Sequence, residues 1–106
     1  MITCQFYRSD DTIVGFIVNG HDTPDDSGIS LLCAAVSSAV YLTVNAVTDV
    51  AEVTPRVLET ADGLMTLRLR KEDAVKCRLL LEGLYLHVTA LAADHPKIIT
   101  VKNTEV

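Results

Sequence analysis

The residues whose types and spacing suit chemistry lie in one stretch of the chain. His21 ends a predicted strand, and Cys33 begins a predicted helix twelve residues later. A helix N-terminus leaves its first amides unpaired and carries the positive end of the macrodipole. A thiol placed there has a lowered pKa and a larger thiolate fraction. The backbone amides of Cys33 and its neighbours offer an oxyanion hole. The small side chains of Ala34 and Ala35 leave the sulfur approachable. If the intervening loop folds back, His21 serves as general base and then as general acid. That is a cysteine-peptidase arrangement. A plainer reading uses the same residues: a cysteine in an apolar helix is commonly a small core residue, and a histidine beside a turn is commonly only solvated.

The elements that must position these residues follow from periodicity. Residues 2–8 and 12–19 are apolar runs joined by Ser9-Asp10-Asp11, which predicts an antiparallel hairpin. Gly15 inside the second run predicts a bulge or a close backbone approach. A polar loop at 22–28 carries three carboxylates, Asp22, Asp25 and Asp26, in seven positions. From about Ser30 to Val47, Leu32, Val36, Ala39, Val40, Val44 and Val47 recur at helical spacing. That helix is apolar almost all round, so it predicts burial on several sides, against a sheet and a second helix or subunit. Residues 51–59 and 64–70 read as strands around Ala61-Asp62-Gly63, and Asp-Gly predicts a type I′ turn. Pro55 marks the first of them as irregular or at an edge.

Residues 71–94 read as one helix with the stripe Cys77, Leu80, Leu81, Leu84, Val88 and Leu91. His95-Pro96 stops it, and residues 97–101 form a short last strand. The expected fold class is α+β: one compact domain over 1–106, order ββαββαβ, a mostly antiparallel sheet with two helices packed on it.

Composition agrees with this and narrows the function. A chain of 106 residues supports one domain, and at this size it buries roughly 65% of its unfolded surface. Fourteen acidic against nine basic residues, a net charge of −5, argue against nucleic-acid binding. Three cysteines exclude a fully paired disulfide framework, and their spacing fits no zinc pattern. No P-loop, GxGxxG or metal-ligand cluster appears, so no cofactor and no metal is expected. The first residues lack the features of a targeting signal, and the apolar stretch 29–47 is broken by serine, threonine and asparagine. A cytoplasmic protein with reduced thiols and no membrane span is expected.

The stretch 20–37, Gly-His-Asp-Thr-Pro-Asp-Asp-Ser-Gly-Ile-Ser-Leu-Leu-Cys-Ala-Ala-Val-Ser, resembles the signature of the ribosomal-processing cysteine protease family, Prp. That family reads Gly-His, a short loop, then Gly-x-Asp-Ile-Val-Cys-Ala-Ala-Val-Ser. The spacing from Gly-His to Cys matches without a gap, and the likeness extends over essentially the whole chain. The resemblance implies a bacterial homodimer with a Cys-His dyad in each subunit. It also implies the reaction: removal of the N-terminal extension of ribosomal protein L twenty-seven, a basic protein of the large subunit. Cys33 then matches the nucleophile, His21 the base, and Ser37 the serine one turn further on.

Two positions depart from the family pattern. Asp22 stands where alanine is usual, and Ser30 where aspartate is usual. Serine still caps a helix, with its oxygen accepting from the third residue's amide, here that of Cys33. It supplies no charge for an imidazolium, and Asp22 or Asp26 is the expected substitute. The acidic loop borders the site, so Asp25, Asp26 and Gly28, with Ala34 beside the thiol, are candidate substrate contacts that would attract a basic segment. The alternative functions are a ribosome-associated binding protein on the same scaffold, and a structural domain with Cys33 buried. Cys4 and Cys77 read as core residues, His87 as a surface or interface group, and Tyr41, Tyr85 and Phe16 as packing.

Overall fold

The computed structural model of the chain describes residues 1–20 and 30–106. Two strands, β1 (Ile2–Ser9) and β2 (Thr12–Gly20), form the expected hairpin. Its two turn residues, Asp10 and Asp11, have φ of 51° and 67°. Positive φ at both centres is the type I′ geometry that matches strand twist, and aspartate tolerates it better than most residues. Gly15 meets both expectations. The β1–β2 register shifts between Tyr7 and Arg8, leaving Val14 as the extra residue. A Cβ on Gly15 would lie 2.4 Å from the Leu67 carbonyl oxygen.

The remaining strands are β3 (Val57–Ala61), β4 (Leu64–Arg68) and β5 (Ile99–Glu105). The sheet order is β3-β4-β2-β1-β5. The β1–β5 pair is parallel, while the β1–β2, β2–β4 and β3–β4 pairs are antiparallel. The sheet is therefore mixed, with the antiparallel majority expected. Strand alternation aims Ile2, Cys4, Phe6, Phe16, Met65, Leu67 and Ile99 at one face, where all seven are buried. The helices pack on that face, giving two layers around one core. Phe6 anchors it, 6.0 Å from the Phe16 ring and edge-on to Tyr85 at 5.0 Å.

Helix α1 (Leu31–Asn45) continues into a π-helical turn over Ala46–Val50. The segment Leu31–Val50 is long and apolar enough to cross a membrane. In this fold its Val36, Val40, Val44 and Val47 are buried in the domain's core. The second helix is not continuous. It divides into α2 (Lys71–Lys76) and α3 (Arg78–Asp94) at Cys77, whose φ and ψ are −100° and 13°. The Cys77 amide is shared between the carbonyls of Asp73, at 3.2 Å, and Ala74, at 3.1 Å. Hydrophobic periodicity runs through such a break unchanged, because Cys77, Leu81, Leu84 and Val88 are all buried. The described residues thus form three helices rather than two.

Three further expectations are corrected. Strand β3 starts at Val57 rather than at 51, because Glu52 takes φ 56° and Pro55 has no amide to donate. In the β3–β4 turn Gly63 has φ 72°, but Asp62 is not among the described residues with positive φ. Positive φ at the second centre alone fits a type II turn, not type I′. Strand β5 runs on to Glu105, because an edge strand can pair its backbone while carrying polar side chains. Its Asn103 amide donates to the Tyr85 hydroxyl at 3.0 Å, and its Thr104 hydroxyl accepts from Gln5 at 2.8 Å.

Candidate active site

Ser30 caps α1. Its backbone is extended, with φ −98° and ψ 111°, and its hydroxyl oxygen accepts the Cys33 amide at 3.0 Å. The next amide, of Ala34, donates to the Ser30 carbonyl at 3.1 Å. Cys33 is therefore the third residue of the helix, tied by its own N–H to the cap. That bond takes Cys33's amide out of any oxyanion hole, so donors must come from its neighbours. Replacing Ser30 with alanine should cost about 1 kcal/mol of stability. Urea unfolding of the two proteins measures it, and equal midpoints would mean that the cap contributes nothing.

The thiol opens onto a cavity of about 460 Å³. Cys33, Ser37 and Tyr41 line one wall, at the four-residue spacing that stacks side chains on one helix face. Ile2, Val18 and Met65 form an apolar floor from the edge of the sheet's buried face. Thr60, Asp62 and Gly63 form the opposite rim, at the tip of the β3–β4 hairpin. The hairpin is held in place where the Gly20 amide donates to the Gly63 carbonyl at 2.9 Å.

The three thiols differ sharply in setting. Cys4 and Cys77 are buried, whereas Cys33 is half-buried. Burial pushes the Cys4 thiol up to about 11. Cys77 is also pushed up, by burial first and by the charge of Asp73 second. A thiolate is the reactive form, so the two core cysteines are poor nucleophiles and Cys33 is the accessible one.

Of the residues singled out in the sequence, the structure brings Ser30, Cys33 and Ser37 together at one end of α1. Ala34 is exposed and does not line the cavity. His21, Asp22, Asp25, Asp26 and Gly28 lie outside the described residues. Sequence reasoning missed Tyr41, which it read as packing and which is half-exposed at the cavity. Its signal was the eight-residue spacing from Cys33. It also missed the hairpin tip, which joins the site only through strand pairing. Among the described residues, no group of three potential metal ligands comes together.

A family model described as cysteine protease Prp matches residues 1–100. No curated protein matches the chain. Solved structures do. The Streptococcus mutans protein SMU.848 superimposes with a TM-score of 0.83 at 29% identity, covering 100% of this chain and 96% of that one. The essential ribosomal processing protease Prp from S. aureus, in complex with a covalently linked product peptide, gives a TM-score of 0.87 at 20% identity, over 98% of this chain and all of that one. The same S. aureus protease with a substrate peptide gives 0.83 at 19% identity. With its family model spanning nearly the whole chain and an accessible thiol at a capped helix start, this protein belongs to the Prp family of cysteine proteases.

Proposed function

We propose that Cys33 and His21 form the nucleophile and base of a peptidase that trims a basic N-terminal extension from a large-subunit ribosomal protein. L twenty-seven is the substrate that the family resemblance implies. The observation that carries this reading is the setting of Cys33, a half-buried thiol on a capped helix N-terminus at the wall of a 460 Å³ cavity. The cysteine sulfur attacks the scissile carbonyl carbon as its proton passes to the imidazole. Collapse of the tetrahedral intermediate breaks the C–N bond, and the imidazolium protonates the departing amine. Water then attacks the thioester, its proton returns to the imidazole, and the acid product leaves with the thiol restored.

The S. aureus relative with its covalently linked product peptide supports such an acyl chemistry. The acidic balance of the chain, −5 overall, favours a basic substrate over a nucleic acid. We further infer a homodimer in the cytoplasm. An apolar groove of about 640 Å³ runs between α1 and α3, and Leu42 and Leu79 on its walls are 72% and 89% exposed. A second copy would cover that surface, and three free thiols suit a reducing compartment.

One experiment tests the reading. The protein is incubated with a synthetic peptide of the basic ribosomal-protein extension, before and after treatment with one equivalent of iodoacetamide. Mass spectrometry should find the label on Cys33, and cleavage should stop in proportion to labelling. Full cleavage by Cys33-labelled protein, or no cleavage by the untreated one, would overturn it.

A further inference from the structure

The cavity beside the thiol is built of unlike parts. Its floor, from Ile2, Val18 and Met65, is apolar. Its two rims are not. On α1 it is lined by Tyr41, a residue 50% exposed. On the facing β3–β4 hairpin it is lined by Asp62, exposed at the tip. Among the described residues lining the cavity, Asp62 is the one carboxylate, and none is a lysine, arginine or histidine. The charge that these residues bring to the cavity is therefore negative, and an aromatic ring stands across from it.

The hairpin tip is held by backbone. Ala61 and Leu64 are register partners, so Asp62 and Gly63 make a two-residue turn. The Gly20 amide donates to the Gly63 carbonyl at 2.9 Å, which ties the turn to the end of β2. Glu59, the other acid of the hairpin, is the register partner of Thr66 and alternates with the cavity-lining Thr60. It belongs to the opposite face of the sheet. Asp62 is thus the hairpin's acid on the cavity side.

These parts match one kind of side chain, apolar along its stem and cationic at its tip. Lysine and arginine lay their methylenes on apolar surface and keep the charge at the edge. A carboxylate attracts that charge, and so does the face of a tyrosine ring. An acidic side chain would be repelled at Asp62, and a short apolar one would leave both rims unused.

We infer that Asp62 and Tyr41 form a subsite for a lysine or arginine side chain of the substrate, with the stem lying on the apolar floor. The inference deepens the peptidase reading above and rests on it for the peptide nature of the ligand. Tyr41 follows Cys33 by eight residues, about 12 Å along the helix axis. An extended peptide rises about 3.3 Å per residue. The cationic residue therefore lies within about four residues of the scissile bond. Both rim groups are exposed, so the contact acts on binding and is weakened by salt.

The test uses the synthetic extension peptide and a set in which each lysine or arginine is replaced in turn by norleucine, which keeps a stem and removes the charge. Wild type, Asp62→Asn, Asp62→Lys and Tyr41→Leu are compared, and equal thermal midpoints check that all four fold. In the wild type, one norleucine peptide should show a KM raised roughly threefold to tenfold, with kcat little changed. In Asp62→Asn that ratio should fall to within about twofold of unity, and in Tyr41→Leu it should fall part of the way. In Asp62→Lys, a peptide with glutamate at the same place should outdo the one with lysine. A second readout needs no turnover: fluorescence anisotropy of labelled peptides on Cys33→Ala protein should give the same order of Kd. An unchanged ratio in Asp62→Asn or Tyr41→Leu overturns the inference, as does a loss confined to kcat. A wild type that cleaves the peptides with no preference for any cationic residue also overturns it and leaves the peptidase reading standing. Binding with the cationic preference, but no cleavage by the wild type, overturns the peptidase reading and leaves the subsite.

Discussion

Cys33→Ala should abolish peptide cleavage, by at least about 1,000-fold in kcat, and leave the fold intact. The two halves of this expectation have separate causes. The chemical half follows from the thiol being the accessible one of three, with Cys4 and Cys77 sealed in the core. Neither can move to replace it, because both are held in the close-packed core. The structural half follows from what the backbone of residue 33 does. Its amide is bonded to the Ser30 hydroxyl at 3.0 Å, and alanine keeps that bond. Alanine is also the best helix former, so the unfolding free energy should change by less than about 1 kcal/mol. Cys33→Ser should behave the same way, because a hydroxyl in that place is not ionised near neutral pH. Peptide turnover measured beside urea unfolding decides the matter. Residual activity above about one part in a thousand would show that another group attacks the substrate.

Gly20→Val should be the most damaging single change to stability that adds only a side chain. Gly20 has φ +106°, a region that L-residues rarely adopt, and a Cβ there would lie 2.1 Å from the Met1 carbonyl oxygen. The backbone strain alone is of order 1–3 kcal/mol, and relieving the clash means moving the start of β1. Ile2 is the register partner of Gly20 and also of Ile99, so the shift would pass to three strands. A loss of about 3 kcal/mol or more is expected, with peptidase activity falling further than stability because residue 21 follows directly. Gly83→Ala is the control. Gly83 sits in α3 with nothing within 4 Å of its added Cβ, so that change should stabilise by about 0.5–1 kcal/mol. Thermal unfolding of the two variants checks both signs. A Gly20→Val protein as stable as the wild type would mean that the β1 start yields freely.

What could be read from the sequence was local. The Ser30 cap, the Cys33 amide bonded to it and the inward valines of α1 depend on residues three and four apart, and a single chain displays that spacing. The Asp10-Asp11 hairpin was legible for the same reason. The break at Cys77 was not, because burial continues through it and only the backbone angles change. Strand β5 was read short because Lys102, Asn103 and Glu105 look like loop residues. Their polarity reflects an outer strand, and that position is set by the parallel pairing with β1. The cavity was the least legible part. Its walls come from β1, β2, α1 and the β3–β4 hairpin, so Asp62 meets the thiol's cavity only after all the pairings are made. The resemblance to the Prp family pointed to Cys33 as the candidate nucleophile and to the chemistry, and carried no information on the hairpin tip that rims the cavity.

The parallel β1–β5 pair also has a consequence for timing. Residues 2–8 must wait for residues 99–105 before that side of β1 has a partner. The Ile2 amide, which donates to the Ile98 carbonyl at 2.7 Å, waits with them. Ile2 is part of the cavity floor. Closing so long a loop is slow compared with forming a helix or a hairpin. During synthesis α1 and its thiol leave the ribosome well before the strand that completes the floor beneath them. The cleft is therefore finished late, and a nascent chain carries its proposed nucleophile before it carries a site in which to use it.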